Sequence, residues 1–166
     1  MTPALAPVLL DKAQAQFITR RVSMYAASCD SRFLPSVSRA FGCRVSPDRR
    51  WVTIFLSLTY SRRLLEDLQG GAAIAVLFSL PSTHETLQLK AANVTIQALE
   101  EGDRELMRAY GKSFHDELSE LGYHELFAGG IVSGVEEEAV AIGFTPIAAF
   151  EQTPGPDAGR ALAPRP

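Results

Sequence analysis

The chain has 166 residues, 46% of them hydrophobic and 21% charged, which suits one folded domain with a core large enough to need no disulfide or metal. Its formal net charge of -3, from 16 Lys+Arg against 19 Asp+Glu, argues against a basic nucleic-acid binder. No apolar run approaches the ~18 residues of a membrane-spanning helix, and Met1 to Leu10 has no basic start and carries Pro3 and Pro7, a poor signal peptide, so a cytoplasmic protein with no membrane partner is expected.

In chain order, Leu10, Ala13 and Phe17 predict a short helix within Leu9 to Thr19. Val22 to Cys29 alternates as a strand, and Asp30-Ser31-Arg32 supplies a turn. Leu34 to Val45 alternates again, Ser46-Pro47-Asp48-Arg49 turns, and Trp51 to Leu58 forms a third strand. The short turns make these three strands an antiparallel meander. Thr59 to Gln69 changes to a helical period, with Leu64, Leu65 and Leu68 on one face and Gly70-Gly71 as its end. Ala72 to Ser79 reads as a buried strand and Thr86 to Leu99 as one long strand. Leu106, Tyr110, Phe114, Leu118 and Leu121 place an amphipathic helix over Gly102 to Leu121, ended by Gly122. Glu138 to Phe150 is the last strand, with Pro146 marking an edge or a bulge. Residues 1–150 make one domain, and 151–166 read as a loosely ordered Pro/Gly-rich tail. The order β-β-β-α-β-β-α-β excludes a doubly wound parallel sheet. It predicts a mainly β protein, a six-stranded antiparallel barrel with peripheral helices.

Charge is unevenly spread. Residues 20–63 hold nine arginines against Asp30 and Asp48, a balance of +7, whereas residues 64–151 carry -11. The basic stretch either attracts an anion, phosphate being the commonest, or only solubilises strand edges. Metal chemistry is not indicated: two cysteines, Cys29 and Cys43, are too few for a cysteine zinc site, and no His-Glu-x-x-His occurs. Both cysteines read as small apolar filler. There is also no Walker A, Gly-x-Gly-x-x-Gly or Gly-x-Ser-x-Gly motif.

Two segments carry a family resemblance. Arg39-Ala40-Phe41-Gly42-Cys43-Arg44, followed by Phe55 to Arg63 with Ser57 and the turn Ser61-Arg62-Arg63, resembles the flavin phosphate site of the pyridoxamine 5′-phosphate oxidase-like proteins, the FMN-binding split barrels. Ser82 to Lys90 is similar to the strand that offers polar groups to the isoalloxazine ring, and Phe150 to Pro156 to the ending of an uncharacterised branch of that family. The resemblance spans Val22 to Pro156. It implies an FMN-binding split β-barrel, a homodimer with cofactor at the subunit interface, and cofactor contacts from Arg39, Arg44, Ser57, Ser61, Arg62, Arg63, His84, Thr86 and Gln88.

The chemistry of those residues suits that expectation. A phosphate dianion wants fixed cationic donors, which arginine's planar fork provides. A helix start beside Ser61 adds N–H donors and a favourable dipole, although Ser61 could equally cap the helix with both arginines solvated. Arg39 and Arg44 are five residues apart, so they share a face only if a bulge intervenes, for which Gly42 is the candidate; otherwise one serves a neighbouring subunit. His84, after a Pro-Ser-Thr break, contacts flavin or substrate or is a plain surface histidine. The chain departs from the authentic oxidase in lacking its C-terminal Arg-x-His pattern, which argues against oxidation of pyridoxamine phosphate. The expectation is therefore a flavin-dependent oxidoreductase of open substrate. The alternatives are a flavin carrier or sensor without turnover, or a split barrel that takes haem or a deazaflavin.

Overall fold

The computed structural model describes residues 7–162. Four α-helices and eight strands follow in the order α1 (Lys12–Ile18), β1 (Ser23–Cys29), β2 (Pro35–Val45), β3 (Val52–Ser57), α2 (Arg62–Gln69), β4 (Ile74–Ser79), β5 (Thr86–Ala91), β6 (Thr95–Gln97), α3 (Asp103–Glu120), α4 (Glu125–Val132), β7 (Ala139–Phe144) and β8 (Ala148–Glu151). A 3₁₀ turn, Ser133–Glu136, links α4 to β7.

All strand pairs are antiparallel, in the order β6-β7-β3-β2-β1-β4-β5-β8. The sheet thus has eight strands and not the six expected. Both long strands expected from the sequence are broken. Thr86 to Leu99 is interrupted after Ala91, and Glu138 to Phe150 is interrupted at Thr145-Pro146, where proline removes a ladder donor. The breaks let each segment serve both ends of the sheet: β5 pairs with β4 and β8, and β6 pairs with β7. Because β6 follows β5 and β8 follows β7 after three-residue bends, the two ends of the sheet are tied together and it curls into a split barrel.

The interior is filled by inward positions such as Met24, Ala26, Ile54, Val76, Leu89 and Ile142, each at most 0% exposed. Helix α3 packs on β2 through Met107, Tyr110, Phe114 and Leu118. Helix α2 buries Leu64, Leu65 and Leu68 toward β1 and β2, the stripe that its spacing predicted. Helix α4 had no counterpart in the sequence reading. Its run Leu-Phe-Ala-Gly-Gly-Ile-Val has no amphipathic period, and it forms by packing on α3 through buried Ala128. The segment read as a tail turns back on β8: Glu151 N–H donates to Arg160 O (3.0 Å) and Leu162 N–H to Ala149 O (2.8 Å). No helix among the described residues is long and apolar enough to cross a membrane.

Candidate functional site

Of the two alternatives for Arg39 and Arg44, the bulge is present. Ala40 stands opposite Leu56 and Cys43 opposite Ile54, so β2 carries one extra residue between two pairs on β3. Gly42 sits there at φ 118°, where a Cβ would come 3.1 Å from Leu106 Cδ2 and 3.3 Å from Phe55 Cδ2; only glycine takes this conformation without strain. The extra residue restores Arg39 and Arg44 to one face of β2, the face on which α3 lies.

The two arginines are nevertheless used differently. Arg44 is taken by acids: its Nε lies 3.0 Å from Asp103 Oδ1 and its Nη2 2.9 Å from Glu100 Oε2, close but poorly aligned ion pairs. Asp103 is 3% exposed and also accepts the N–H of Glu100 at 2.8 Å, so this pair ties the entrance of α3 to β2. Arg39 meets no acid among the described residues. Its Nη2 donates to the Tyr25 hydroxyl at 2.7 Å, and its guanidinium lies over the rings of Tyr25 (4.6 Å) and Phe114 (5.4 Å). Its Nη1 is buried without a hydrogen-bond partner of normal geometry, although the Tyr110 hydroxyl lies beside the same guanidinium. Burial pushes that phenol's pKa up, Arg39 opposing the rise, and the hydroxyl donates to Val22 O at 2.9 Å.

A second group gathers where β3 enters α2. Ser57 is fully buried and, one step beyond the Ala40–Leu56 pair, shares the outer face with Arg39. Ser61, 1% exposed, precedes α2 but does not cap it; its Oγ is 2.6 Å from Ser38 Oγ on the inner side of β2. The capping role that the sequence left open is therefore not the one Ser61 plays, and the N-terminus of α2 carries no side-chain acceptor. Of the next two arginines, Arg63 pairs with Asp30 Oδ2 at 3.3 Å, while Arg62 is exposed and forms no ion pair among the described residues. The N–H groups of Leu34 and Arg32, with the Arg32 guanidinium, hold the Asp30 carboxyl below its ordinary pKa, so it stays ionised toward Arg63. Beneath α2, Ser36 Oγ donates to the Asp67 carboxylate at 2.5 Å.

The third group is separate. His84 occupies the β4–β5 turn with a left-handed backbone, φ 60°, and an exposed ring; Thr86 opens β5, its Oγ1 2.7 Å from Ser79 Oγ. That turn lies at the end of β4 opposite to the one that follows α2, and no hydrogen bond or ion pair joins the His84 side chain to the α2 group among the described residues. Gln88 does share a row with Arg39: the registers place Arg39 opposite Tyr25, Tyr25 opposite Leu77, Leu77 opposite Gln88 and Gln88 opposite Phe150. This outer face of β1, β4, β5 and β8 stays partly exposed, and Tyr25 and Val37 on its β2 side are 39% and 66% exposed. Tyr25, Ser38 and Phe114 were not among the site residues expected from sequence. Tyr25 could have been found by pairing the first two strands.

Two chemistries find no support in the geometry. Cys43 is buried, which pushes its thiol pKa far up and keeps it protonated, as its reading as filler requires. No cluster of three or more His, Cys, Asp or Glu able to hold a metal occurs among the described residues.

No protein-family model and no curated protein sequence matches the chain. Solved structures do. A crystal structure of a candidate pyridoxamine 5′-phosphate oxidase from Lactobacillus delbrueckii is similar at a TM-score of 0.54 with 12% identity, covering 86% of this chain and 93% of that one. HupZ of Group A Streptococcus is similar at 0.53 with 14% identity, covering 91% and 100%. An F420 reductase follows at 0.50 with 13% identity, covering 84% and 98%. The antiparallel curled sheet with its flanking helices is thus the split-barrel fold of the pyridoxamine 5′-phosphate oxidase-like proteins.

Proposed function

We propose that the chain is a flavin-binding split-barrel protein that takes FMN and serves as an oxidoreductase. The observation that carries this reading is the start of α2. Its N-terminus has no side-chain cap, Ser61 being held by Ser38, and Arg62 stands there without an ion pair among the described residues. A phosphate dianion supplies the acceptor that such a helix start and such a guanidinium lack. Arg39, which pairs with no carboxylate among the described residues, is the second cation suited to it, and Ser57 lies on the same face of the sheet as Arg39. Arg44 and Arg63 are already neutralised by carboxylates and are assigned to holding α3 and the β1–β2 turn.

FMN bound there would supply the redox chemistry. The chain's own task is to hold the phosphate and to exclude water from the ring. The half-exposed outer face around Tyr25, Val37, Leu77 and Gln88 is too apolar for a solvated sheet and suits a second copy of this chain, placing the cofactor between subunits. Light scattering on the purified protein is expected to give the mass of a dimer. A monomer that binds FMN would remove the interface from the proposal.

Flavin fluorescence titration tests the phosphate site. Arg62→Ala is expected to weaken FMN by about 1–3 kcal/mol, roughly five- to 150-fold, the scale of a charge-assisted hydrogen bond. An unchanged dissociation constant would leave Arg62 as a solvated surface residue.

A further inference from the structure

We infer that Tyr25 is a positioning residue that sets Arg39 for the ligand's phosphate; the inference rests on the flavin reading above. Tyr25 and Arg39 are directly opposed on β1 and β2, and three contacts hold the guanidinium. The Tyr25 hydroxyl accepts from Nη2 at 2.7 Å, the Tyr25 ring lies 4.6 Å below, and the Phe114 ring lies 5.4 Å away on α3. A free arginine has many rotamers to lose when it closes on an anion, and a clamped one has few. With Nη2 engaged by the Tyr25 phenol and Nη1 buried beside the Tyr110 hydroxyl, the guanidinium is held in one plane. No carboxylate pairs with Arg39 among the described residues, in contrast to Arg44 and Arg63, so its charge is reserved.

The role depends on one oxygen atom. Tyr25→Phe keeps the ring, its contact with Arg39 and the apolar sheet face, and deletes only the acceptor. Packing alone would make that change silent in ligand binding.

The test is a double-mutant cycle read with two ligands. FMN and riboflavin, which lacks the phosphate, are titrated against wild type, Tyr25→Phe, Arg39→Ala and the double variant, with thermal melting and light scattering as folding controls. Tyr25→Phe is expected to weaken FMN about tenfold, to leave riboflavin within about twofold, and to add nothing in the Arg39→Ala background. Wild type that binds FMN with Tyr25→Phe unchanged overturns the positioning role alone. Equal loss for FMN and riboflavin also overturns it, because Tyr25 then shapes the ring pocket. Wild type that binds neither ligand overturns the flavin reading, and this inference with it.

Discussion

Replacing Phe114 with alanine is expected to destabilise the protein by about 3–5 kcal/mol, the range for deleting a buried phenylalanine where the surroundings cannot collapse into the space. Phe114 is 2% exposed on α3. It stacks on Tyr110 with ring centres 5.8 Å apart and planes 8° from parallel, and it roofs Arg39 on β2. A large cavity would open between helix and sheet, and Tyr110 and Arg39 would each lose a neighbour. Urea unfolding checks this: the midpoint should fall with the slope unchanged. A loss below about 1 kcal/mol would mean that α3 does not seal the outer face of β2. The same variant should weaken FMN, because Arg39 loses one of its two ring contacts.

The second large effect is expected at Gly134. A Cβ built there falls within the edge of the Phe41 ring, and Phe41 is itself 4% exposed in the β2 bulge. Gly134→Ala must therefore displace either a buried ring or the 3₁₀ turn that leads into β7. A cost of about 1–3 kcal/mol is expected, as for overpacking a filled core. Shrinking the obstacle should restore much of it, so the Phe41→Leu/Gly134→Ala pair should be less destabilised than the two single effects added. Gly130→Ala on α4 is the control. A Cβ there meets nothing within 4 Å, and removing a glycine from a helix should stabilise by up to ~1 kcal/mol. Equal losses at Gly130 and Gly134 would contradict the packing described for this turn.

The sequence made some features legible and hid others for physical reasons. The first two strands, α2 and α3 were visible because their apolar periods follow a buried face, β3 as a short apolar run buried on both faces and bounded by turns, and Gly70 and Gly122 ended the helices. The bulge at Gly42 was one of the two alternatives that the Arg39–Arg44 spacing left open. The breaks in the two long strands were not, because alternation continues across a bend; Asn93 and Pro146 were the available signs. At the site, the basic stretch over residues 20–63 drew attention to the arginines but could not separate their uses. Asp103 and Glu100 reach Arg44 from the acidic half of the chain, and Asp30 reaches Arg63 across 33 residues. Such pairings have no local pattern. Ser38 escaped for the same reason: its bond to Ser61 joins β2 to the entrance of α2, and only the fold shows that it draws the hydroxyl away from the cap.

In the function proposed above, this split barrel holds FMN by its phosphate. The most direct measurement is the visible absorption spectrum of the purified protein, before and after added FMN, with acid release of whatever is bound. A flavin spectrum that acid releases, or saturable uptake of added FMN that excess inorganic phosphate weakens, is the predicted result. A protein that stays colourless with FMN present, or that instead carries or takes up haem or a deazaflavin, would contradict it.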